Sequence, residues 1–241
     1  MPIFPTRLVE RFEVAKGTMA FAFDRPADLQ FTAGQFINLI LPDPPYTDAK
    51  GNRRTFSIAS PPQASGRIEI ATRMTGSALK RSLAEVPLGS PVDLLGPSGS
   101  FTLHSDASVP AVFIAGGIGI TPFRSMTHDA VLRRLPHRIT LIYSNRNPES
   151  AAFHDEFRRL AGMVTTFTYI PTMTEAETSQ PPWDGERRFV TADFLRDHIK
   201  DLGTPIYYLA GPPGLVVGVT KIVIEAGADP ARVRSEEFEG Y

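Results

Sequence analysis

The chain contains no cysteine among its 241 residues. This absence excludes disulfides, thiolate zinc sites, cysteine nucleophiles and cysteine-ligated iron–sulfur clusters. There is no excess of charge either, since 25 basic residues oppose 26 acidic ones and the formal net charge is −1. Such a balance gives no electrostatic basis for binding nucleic acid or an anionic membrane. We therefore expect neither partner.

Long hydrophobic runs are also missing. The most apolar stretch, 111–120, is broken by glycines and is too short to cross a bilayer. The first ten residues lack an apolar core of seven or more, which predicts no signal peptide. The five histidines show no metal-ligand spacing, so we predict no metal site. Together these features favour a cytoplasmic protein.

The first part of the chain has the pattern of an all-β domain. Before residue 105, short β-like runs alternate with turn residues, which is typical of an antiparallel barrel or sandwich. The predicted strands are 8–14, 19–23, 35–41, 55–58, 67–73 and 91–95. One helix, N-capped by Ser77 and ending near Glu85, interrupts them.

The second part of the chain alternates strands with helices, which favours a parallel, doubly wound sheet. Strands are predicted at 111–115, 139–143, 164–170 and 206–210, and helices at 122–134, 151–160, 194–200 and 213–226. The segment 104–110 is polar and small, as expected of a linker. We therefore predict an antiparallel β-barrel domain over 1–104, followed by an α/β Rossmann-like parallel-sheet domain over 105–241.

A glycine turn carries the first chemical signal. The sequence Gly116-Gly117-Ile118-Gly119-Ile120-Thr121-Pro122 follows a buried strand and opens a helix. Glycines let backbone amides approach a pyrophosphate, and the helix N-terminus adds free N–H groups and positive dipole. Thr121 can cap this helix, and Pro122 suits its first position. The motif predicts a dinucleotide site at Gly117, Ile118, Gly119 and Thr121. The alternative is a glycine turn needed only for packing.

Two further motifs lie on either side of this turn. In Arg54-Thr55-Phe56-Ser57-Ile58-Ala59-Ser60-Pro61, the arginine fork suits a phosphate. The aromatic residue two positions later shares its strand face and could cover a flat ring, while a serine hydroxyl can bond a ring nitrogen. In Tyr207-Tyr208-Leu209-Ala210-Gly211-Pro212-Pro213-Gly214, a strand ends, a Gly-Pro turn follows and a helix begins. The alternative for the Arg54 motif is an ordinary edge strand, and the alternative for the Gly211 motif is a plain strand-to-helix turn.

By order and spacing, the three motifs resemble those of the ferredoxin–NADP reductase superfamily of flavoprotein reductases, over nearly the whole chain from Arg7 to Tyr241. In that family an Arg-x-Tyr-Ser-x-x-Ser motif holds the flavin, Gly-Gly-x-Gly-x-x-Pro holds the dinucleotide pyrophosphate, and Cys-Gly-Pro-Pro lies by the nicotinamide. The segment 96–101, Gly-Pro-Ser-Gly-Ser-Phe, is similar to the family's Gly-Pro-x-Gly-x-Phe turn. The resemblance implies a flavin-binding first domain and a nicotinamide-dinucleotide second domain.

The resemblance also implies roles on the flavin side. Arg54 is expected at the flavin phosphate, Phe56 beside the ribityl chain and ring, and Ser57 near flavin N5. The remaining expected flavin contacts are Thr55, Thr72, Arg73, Met74, Gly76, Ser77 and Lys80. FAD is favoured over FMN, because the helix after Ser77 and an aromatic C-terminal tail offer room for an adenosine half.

The C-terminal segment 235–241 resembles the family's acidic-aromatic tail. There Phe238 would stack on the flavin until nicotinamide displaces it, and Tyr241 is a second candidate. Ser57, Glu237 and Phe238 are thus the predicted catalytic residues. The alternative for this segment is a frayed acidic terminus.

Two departures from the family pattern affect these expectations. Phe56 replaces a tyrosine, which removes one hydrogen bond worth about 1 kcal/mol. Ala210 replaces a cysteine near the hydride path. We expect a slower step and not a dead enzyme, because the protein orients the cofactor and the cofactor does the chemistry. Ala210, Gly211 and Pro212 remain the expected nicotinamide contacts.

The second strand of the α/β domain ends in Tyr143-Ser144-Asn145-Arg146. Ser144 and Arg146 are expected to contact the ribose end of the dinucleotide, and an arginine there can take a 2′-phosphate. This favours NADP, although relatives that use NADH also carry an arginine here, so NAD stays open.

These expectations describe an FAD-dependent NAD(P)H oxidoreductase. Hydride would pass to bound flavin, and electrons would leave to an external redox protein such as a ferredoxin, a flavodoxin or an oxygenase component. An external acceptor is expected because a chain without cysteine carries no iron–sulfur cluster of its own. The alternatives are a free-flavin reductase that holds flavin as a substrate, a non-catalytic nucleotide-binding scaffold and, with less support, a transferase for another nucleotide.

Overall fold

The computed structural model describes residues 1–177, 179–180 and 182–238. They form two compact units. The N-terminal unit contains 1–102 together with 121–132, and the C-terminal unit contains 103–120 and the described residues from 133 onward. This division follows packing alone. The division into domains 1–104 and 105–241 stays a prediction about which segment binds which cofactor.

The N-terminal unit is built on six antiparallel strands. They are β1 (Ile3–Ala15), β2 (Thr18–Asp24), β3 (Phe36–Ile40), β4 (Arg53–Ser57), β5 (Arg67–Arg73) and β6 (Pro91–Ser98). Their order is β4-β3-β6-β1-β2-β5. Beyond the end of β4, the Ala59 amide donates to the Glu69 carbonyl on β5 at 2.8 Å, so the two outermost strands are linked as a barrel requires.

One short helix, α1 (Ala78–Glu85), follows β5 and buries Leu79 and Leu83 in the core of the sheet. Ser77 occupies the N-cap position as predicted, but its side chain makes no capping hydrogen bond. Because α1 is anchored by these leucines, its first turn is held beside the loop that precedes β4.

The C-terminal unit is built on five parallel strands. They are β7 (Ala111–Gly116), β8 (Ile139–Asn145), β9 (Phe167–Met173), β10 (Ile206–Gly211) and β11 (Val233–Glu237), in the order β11-β10-β7-β8-β9. From β7 the chain moves to β8 and β9 on one side, then returns to β10 and β11 on the other. The carboxyl ends of β7 and β10 therefore form the switch point of the sheet, where ligands bind in open α/β folds.

The helices of the second half are α2 (Ile120–Leu132), α3 (His154–Met163), α4 (Ala192–His198) and α5 (Pro213–Glu225). By its contacts, most of α2 belongs to the N-terminal unit, where the Ser125 hydroxyl donates to the Ser60 carbonyl at 2.7 Å. Helices α4 and α5 cover the parallel sheet with Phe194, Leu195 and Val216. Among the described residues, no helix combines the length and the apolar character needed to span a membrane.

Three local predictions are corrected by the structure. A 3₁₀ turn over Gly117–Gly119 runs directly into α2, so that helix begins at Ile120 and Thr121 lies inside it rather than capping it. Helix α3 begins at His154, because Phe153 adopts a left-handed φ of 60°. Strand β9 then begins only at Phe167, since the amide of Val164 still bonds the last turn of α3.

The fourth correction concerns the C-terminal tail. A frayed terminus is wrong for 233–237, which form strand β11 and pair in parallel with β10. The pattern has no alternating apolar residues, so strand formation there depends on the partner strand.

Candidate cofactor sites

Strand β4 positions the residues of the Arg54 motif. It pairs with β3, and the Thr55 hydroxyl donates to the Asn38 side-chain oxygen at 2.8 Å. Phe56 is 8% exposed and belongs to the hydrophobic core, whereas Ser57, 6% exposed, points to the opposite face. Phe56 and Ser57 are therefore both buried, and Thr55 is the exposed residue on the face that carries Ser57.

The guanidinium of Arg54 is held in a defined orientation. One terminal nitrogen donates to the carbonyls of Lys50 and Gly51, both at 2.9 Å, and to that of Arg53 at 2.7 Å. The other donates to both carboxylate oxygens of Asp48, at 2.7 and 2.9 Å. With 16% of its side chain exposed, Arg54 is preorganised for an anion.

Further positive charge surrounds Arg54. Burial lowers the pKa of Lys80, and the charges of Arg54 and Lys50 lower it further. The Lys80 ammonium also donates to the Thr75 hydroxyl at 3.2 Å. Lys50, Arg54 and Lys80 thus form a cluster of three cations, and this local excess of positive charge suits a ligand with more than one negative charge, such as a diphosphate.

The segment between β5 and α1 adds backbone and hydroxyl groups beside these cations. A Cβ at Gly76 would meet nothing within 4 Å, so space is open there. The Ser77 hydroxyl is buried and has no hydrogen-bond partner within 1–177, 179–180 and 182–238. An orphaned hydroxyl beside a cation cluster fits a phosphate oxygen as its missing partner. On this observation the residues present fit the diphosphate of a flavin dinucleotide.

The other predicted flavin contacts lie at the end of β5. Thr72 is buried, Arg73 and Met74 are half-buried, and the Met74 amide donates to the Gly17 carbonyl at 2.9 Å. Met74 packs against the core, so what it can offer a ligand is its backbone. The structure therefore gathers the predicted flavin residues on β4, at the end of β5 and on the first turns of α1, all within the N-terminal unit.

In the C-terminal unit, the glycine turn after β7 touches the end of β10 through its backbone. A Cβ on Gly119 would collide with the carbonyl of Ala210 and come within 2.6 Å of the Gly211 nitrogen. Gly117 has a φ of 50°, and its carbonyl accepts from the Tyr143 hydroxyl at 3.0 Å. Gly119 thus has a packing role whether or not a ligand binds, as the packing alternative for this motif requires.

The end of β8 places a serine, an asparagine and an arginine in sequence. Ser144 is half-buried, and the Arg146 side chain is 78% exposed, with its Nε 3.9 Å from a Glu175 oxygen. Asn145 is buried, and neither atom of its side-chain amide has a partner in the described part of the chain. Sequence reasoning missed Asn145; its position between two predicted contacts at a strand's carboxyl end was the available signal.

Strand β11 joins two segments that the sequence predicted separately. Gly211 pairs with Glu237, and the Phe238 amide donates to the Gly211 carbonyl at 2.9 Å. Glu237 is exposed, Phe238 is half-buried and Ala210 is fully buried. Residues 235–238 of the acidic-aromatic tail therefore lie beside the Gly-Pro turn at the switch point of the sheet. Tyr241 lies outside the described residues.

Comparison with known proteins gives two family matches. Residues 5–103 match the family described as Oxidoreductase FAD-binding domain, and residues 113–221 match that described as Oxidoreductase NAD-binding domain. These ranges contain the Arg54 motif and the glycine turn respectively.

Two curated relatives and one solved structure illustrate the similarity. The reductase component of phenol 2-monooxygenase from Pseudomonas sp. strain CF600 is 32% identical over 87% of this chain, which spans 57% of that relative. Ferredoxin–NADP reductase B from Sorangium cellulosum strain So ce56 is 30% identical over 91% of this chain and 88% of its own length. A crystal structure of a Neisseria gonorrhoeae ferredoxin NADP⁺ reductase with bound FAD and NADP superposes with a TM-score of 0.80 over 98% of both chains at 20% identity.

Proposed function

The chain belongs to the ferredoxin–NADP reductase superfamily, and from this premise we propose that it is an FAD-dependent NAD(P)H oxidoreductase serving an external electron acceptor. The observation that carries the proposal is the cation cluster of Lys50, Arg54 and Lys80 around the first turn of α1, with the orphaned Ser77 hydroxyl beside it. A dinucleotide diphosphate satisfies both features at once.

On the flavin side, the proposed role of the residues is to bind FAD and to orient its ring. Arg54 and Lys80 neutralise phosphate charge, and Ser77 donates its hydroxyl. Ser57 offers the ring its hydroxyl, which is buried and lies on the same face of β4 as the exposed Thr55. Bound FAD supplies a ring that takes up hydride at N5 and releases electrons. The segments 1–104 and 105–241 are the proposed flavin and nicotinamide domains.

On the nicotinamide side, the switch point of the parallel sheet is the proposed site. Gly117, Ile118 and Gly119 present backbone N–H groups to the dinucleotide pyrophosphate. Phe238 is held beside Gly211, where an aromatic ring can cover a flat ligand and yield to nicotinamide. Ala210 contributes no side-chain donor there, so placement of the nicotinamide depends on Gly211 and Pro212.

The proposed acceptor is a redox protein of the ferredoxin, flavodoxin or oxygenase-component type. The two relatives above support this class, since one is the reductase component of a monooxygenase and the other is a ferredoxin–NADP reductase. Because the chain spans little more than half of the phenol 2-monooxygenase reductase component, the acceptor must be identified by assay.

An anaerobic titration with NADPH, repeated with NADH, tests the proposal. The purified protein should carry a visible flavin spectrum that bleaches with the preferred donor. Transfer of electrons to cytochrome c should then require an added ferredoxin, flavodoxin or oxygenase component. A colourless protein that also fails to bind added FAD or FMN would contradict the flavoprotein assignment.

The choice between NADPH and NADH is tested at Arg146. Arg146→Ala should weaken the binding of NADPH several-fold and leave the binding of NADH unchanged. The effect is modest because an exposed arginine makes a salt-screened contact with a 2′-phosphate. Arg158→Ala, at an equally exposed arginine of the same unit, is the matched control. Equal losses for both nucleotides would place Arg146 elsewhere in the site.

A further inference from the structure

In the structure, the donors that would bind the flavin phosphate already hold an anion. Asp48 accepts two hydrogen bonds from one terminal nitrogen of Arg54, at 2.7 and 2.9 Å, and a third from the Ala78 amide at 3.1 Å. Ala78 is the first residue of α1, where free N–H groups and the helix dipole attract negative charge. The Asp48 carboxylate thus bridges an arginine and a helix N-terminus, the pair of groups that phosphates use in proteins.

The loop that carries Asp48 is fastened to the same helix. The Tyr46 amide donates to the Ser82 hydroxyl at 3.1 Å, and the Tyr46 hydroxyl donates to Glu85 at 2.6 Å. Arg81 donates to that hydroxyl at 2.8 Å and stacks its guanidinium 3.7 Å from the ring centre. The chain just before Asp48 is therefore held against α1 by Tyr46.

We propose that Asp48 is an internal anion that competes with the flavin phosphate for Arg54 and the first turn of α1. The inference rests on the proposed function, since it takes Arg54 as the phosphate ligand. Flavin binding then includes release of Asp48 into solvent, and that release lowers the affinity for phosphorylated flavins. Asp48 thereby sets how tightly the protein retains FAD.

The count of donors favours competition over a merely supporting role. The terminal nitrogens of Arg54 have four N–H bonds, which face three carbonyls and the Asp48 carboxylate. The terminal nitrogen that holds Asp48 can donate to a phosphate only after Asp48 has left. The hydrogen bond from Arg54, helped by the amides of Ala78 and Lys50, also keeps the pKa of Asp48 below its usual range, so the two anions repel each other.

Asp48 is free to move once a stronger anion arrives. Its side chain is 32% exposed, against 16% for that of Arg54. Asp48 is therefore already partly hydrated and can rotate into water, whereas Arg54 stays fixed by backbone carbonyls. The nearby cations Lys50 and Lys80 gain from exchanging one negative charge for two.

The test compares Asp48→Asn with Asp43→Asn, in the full chain stripped of flavin. Asp43 is exposed in the same loop, so the control removes the same charge from the same neighbourhood. Flavin fluorescence titration should show FAD binding Asp48→Asn about tenfold more tightly than wild type, the scale of one charge-assisted hydrogen bond. Asp43→Asn should match wild type, and riboflavin, which has no phosphate, should bind all three proteins alike.

A second readout does not depend on flavin affinity. Without flavin, Asp48→Asn should melt at a lower temperature than Asp43→Asn, because Arg54 and α1 lose their anion. Saturating FAD should close that gap. Weaker or unchanged FAD binding by Asp48→Asn would overturn the inference and make Asp48 a support for Arg54. Failure of wild type itself to bind FAD would instead overturn the proposed function.

Discussion

The two candidate sites offer different kinds of groups to the phosphate that each is proposed to bind. In the N-terminal unit the groups are charged side chains, with Arg54 and Lys80 opposed by Asp48. In the C-terminal unit the groups are backbone, and Gly119 brings the turn after β7 into direct contact with Ala210. A site made of side chains can be adjusted in steps by exchanging one charge. A site made of backbone is also a packing contact, so a change there disturbs fold and binding together.

The largest expected effect comes from adding one methyl group to the backbone site. Gly119→Ala places a Cβ against the Ala210 carbonyl and close to the Gly211 nitrogen. Both atoms are backbone of β10, so the clash cannot be relieved by rotation of a side chain. We expect the free energy of unfolding to fall by about 3 kcal/mol, as for overpacked cores, and NAD(P)H binding to be lost. Chemical denaturation and nucleotide titration measure the two effects.

Gly218→Ala is the matched control, since it adds the same methyl group within α5, where nothing lies within 4 Å. It should stabilise the protein by up to about 1 kcal/mol, because alanine is a better helix former than glycine. If Gly119→Ala were as well tolerated as Gly218→Ala, the contrast between a packed and an adjustable site would fail.

A smaller, graded effect is expected at the side-chain site. Arg54→Lys keeps the charge but loses the planar fork that meets the carbonyls and the anion together. FAD affinity should fall by about ten- to a hundredfold, with NAD(P)H binding nearly unchanged. Arg53→Lys, at the adjacent exposed position on β4, should have no such effect. Parallel loss of NAD(P)H binding in Arg54→Lys would contradict independent sites.

The sequence predicted best what local pattern decides. Strand β5 has the predicted bounds, because Gly and Pro turns delimit an alternating run. The glycine turn lies between a buried strand and a helix, as its sequence requires. Both features depend on neighbours a few residues away.

What the sequence did not predict depends on distant partners. Strand β11 reads as a polar tail, and its pairing comes from β10, more than twenty residues earlier. The burial of Asn145 and the salt bridge between Asp48 and Arg54 depend on how loops fold back onto the ends of strands and helices. The packing of Phe56 in the core depends on strand pairing as well, because β3 sets the faces of β4, and the contact of Phe56 with the flavin stays a prediction.

The smallest expected effect separates the two units by acid sensitivity. The N-terminal unit contains one histidine, His128, whereas His104 is half of a buried pair in the C-terminal unit. Its Nε2 donates to the Val109 carbonyl at 2.9 Å, and in the neutral ring its Nδ1 accepts from the Tyr208 hydroxyl at 3.1 Å. Burial lowers the pKa of His104, and nearby His137 and Arg234 add to this.

A histidine whose pKa is lowered by folding stabilises the protein above the unfolded value of about 6.5. Below that pH the unfolded chain binds a proton at His104 that the folded chain does not bind, so the free energy of unfolding decreases as the pH falls. Trp183 is the single tryptophan and lies in the C-terminal unit, so its fluorescence during urea unfolding reports on that unit. Between pH 7.5 and 5.5, the urea midpoint should fall.

His104→Asn should reduce this pH dependence, and His154, whose pKa burial also lowers, should account for part of what remains. His198→Asn, at a more exposed histidine of the same unit, should leave it intact. If His104→Asn and wild type lost stability equally on acidification, the neutral His104–Tyr208 pair would not be the acid-sensitive element. The loss of stability in acid would then come from other titratable groups, and acid sensitivity would no longer distinguish the two units.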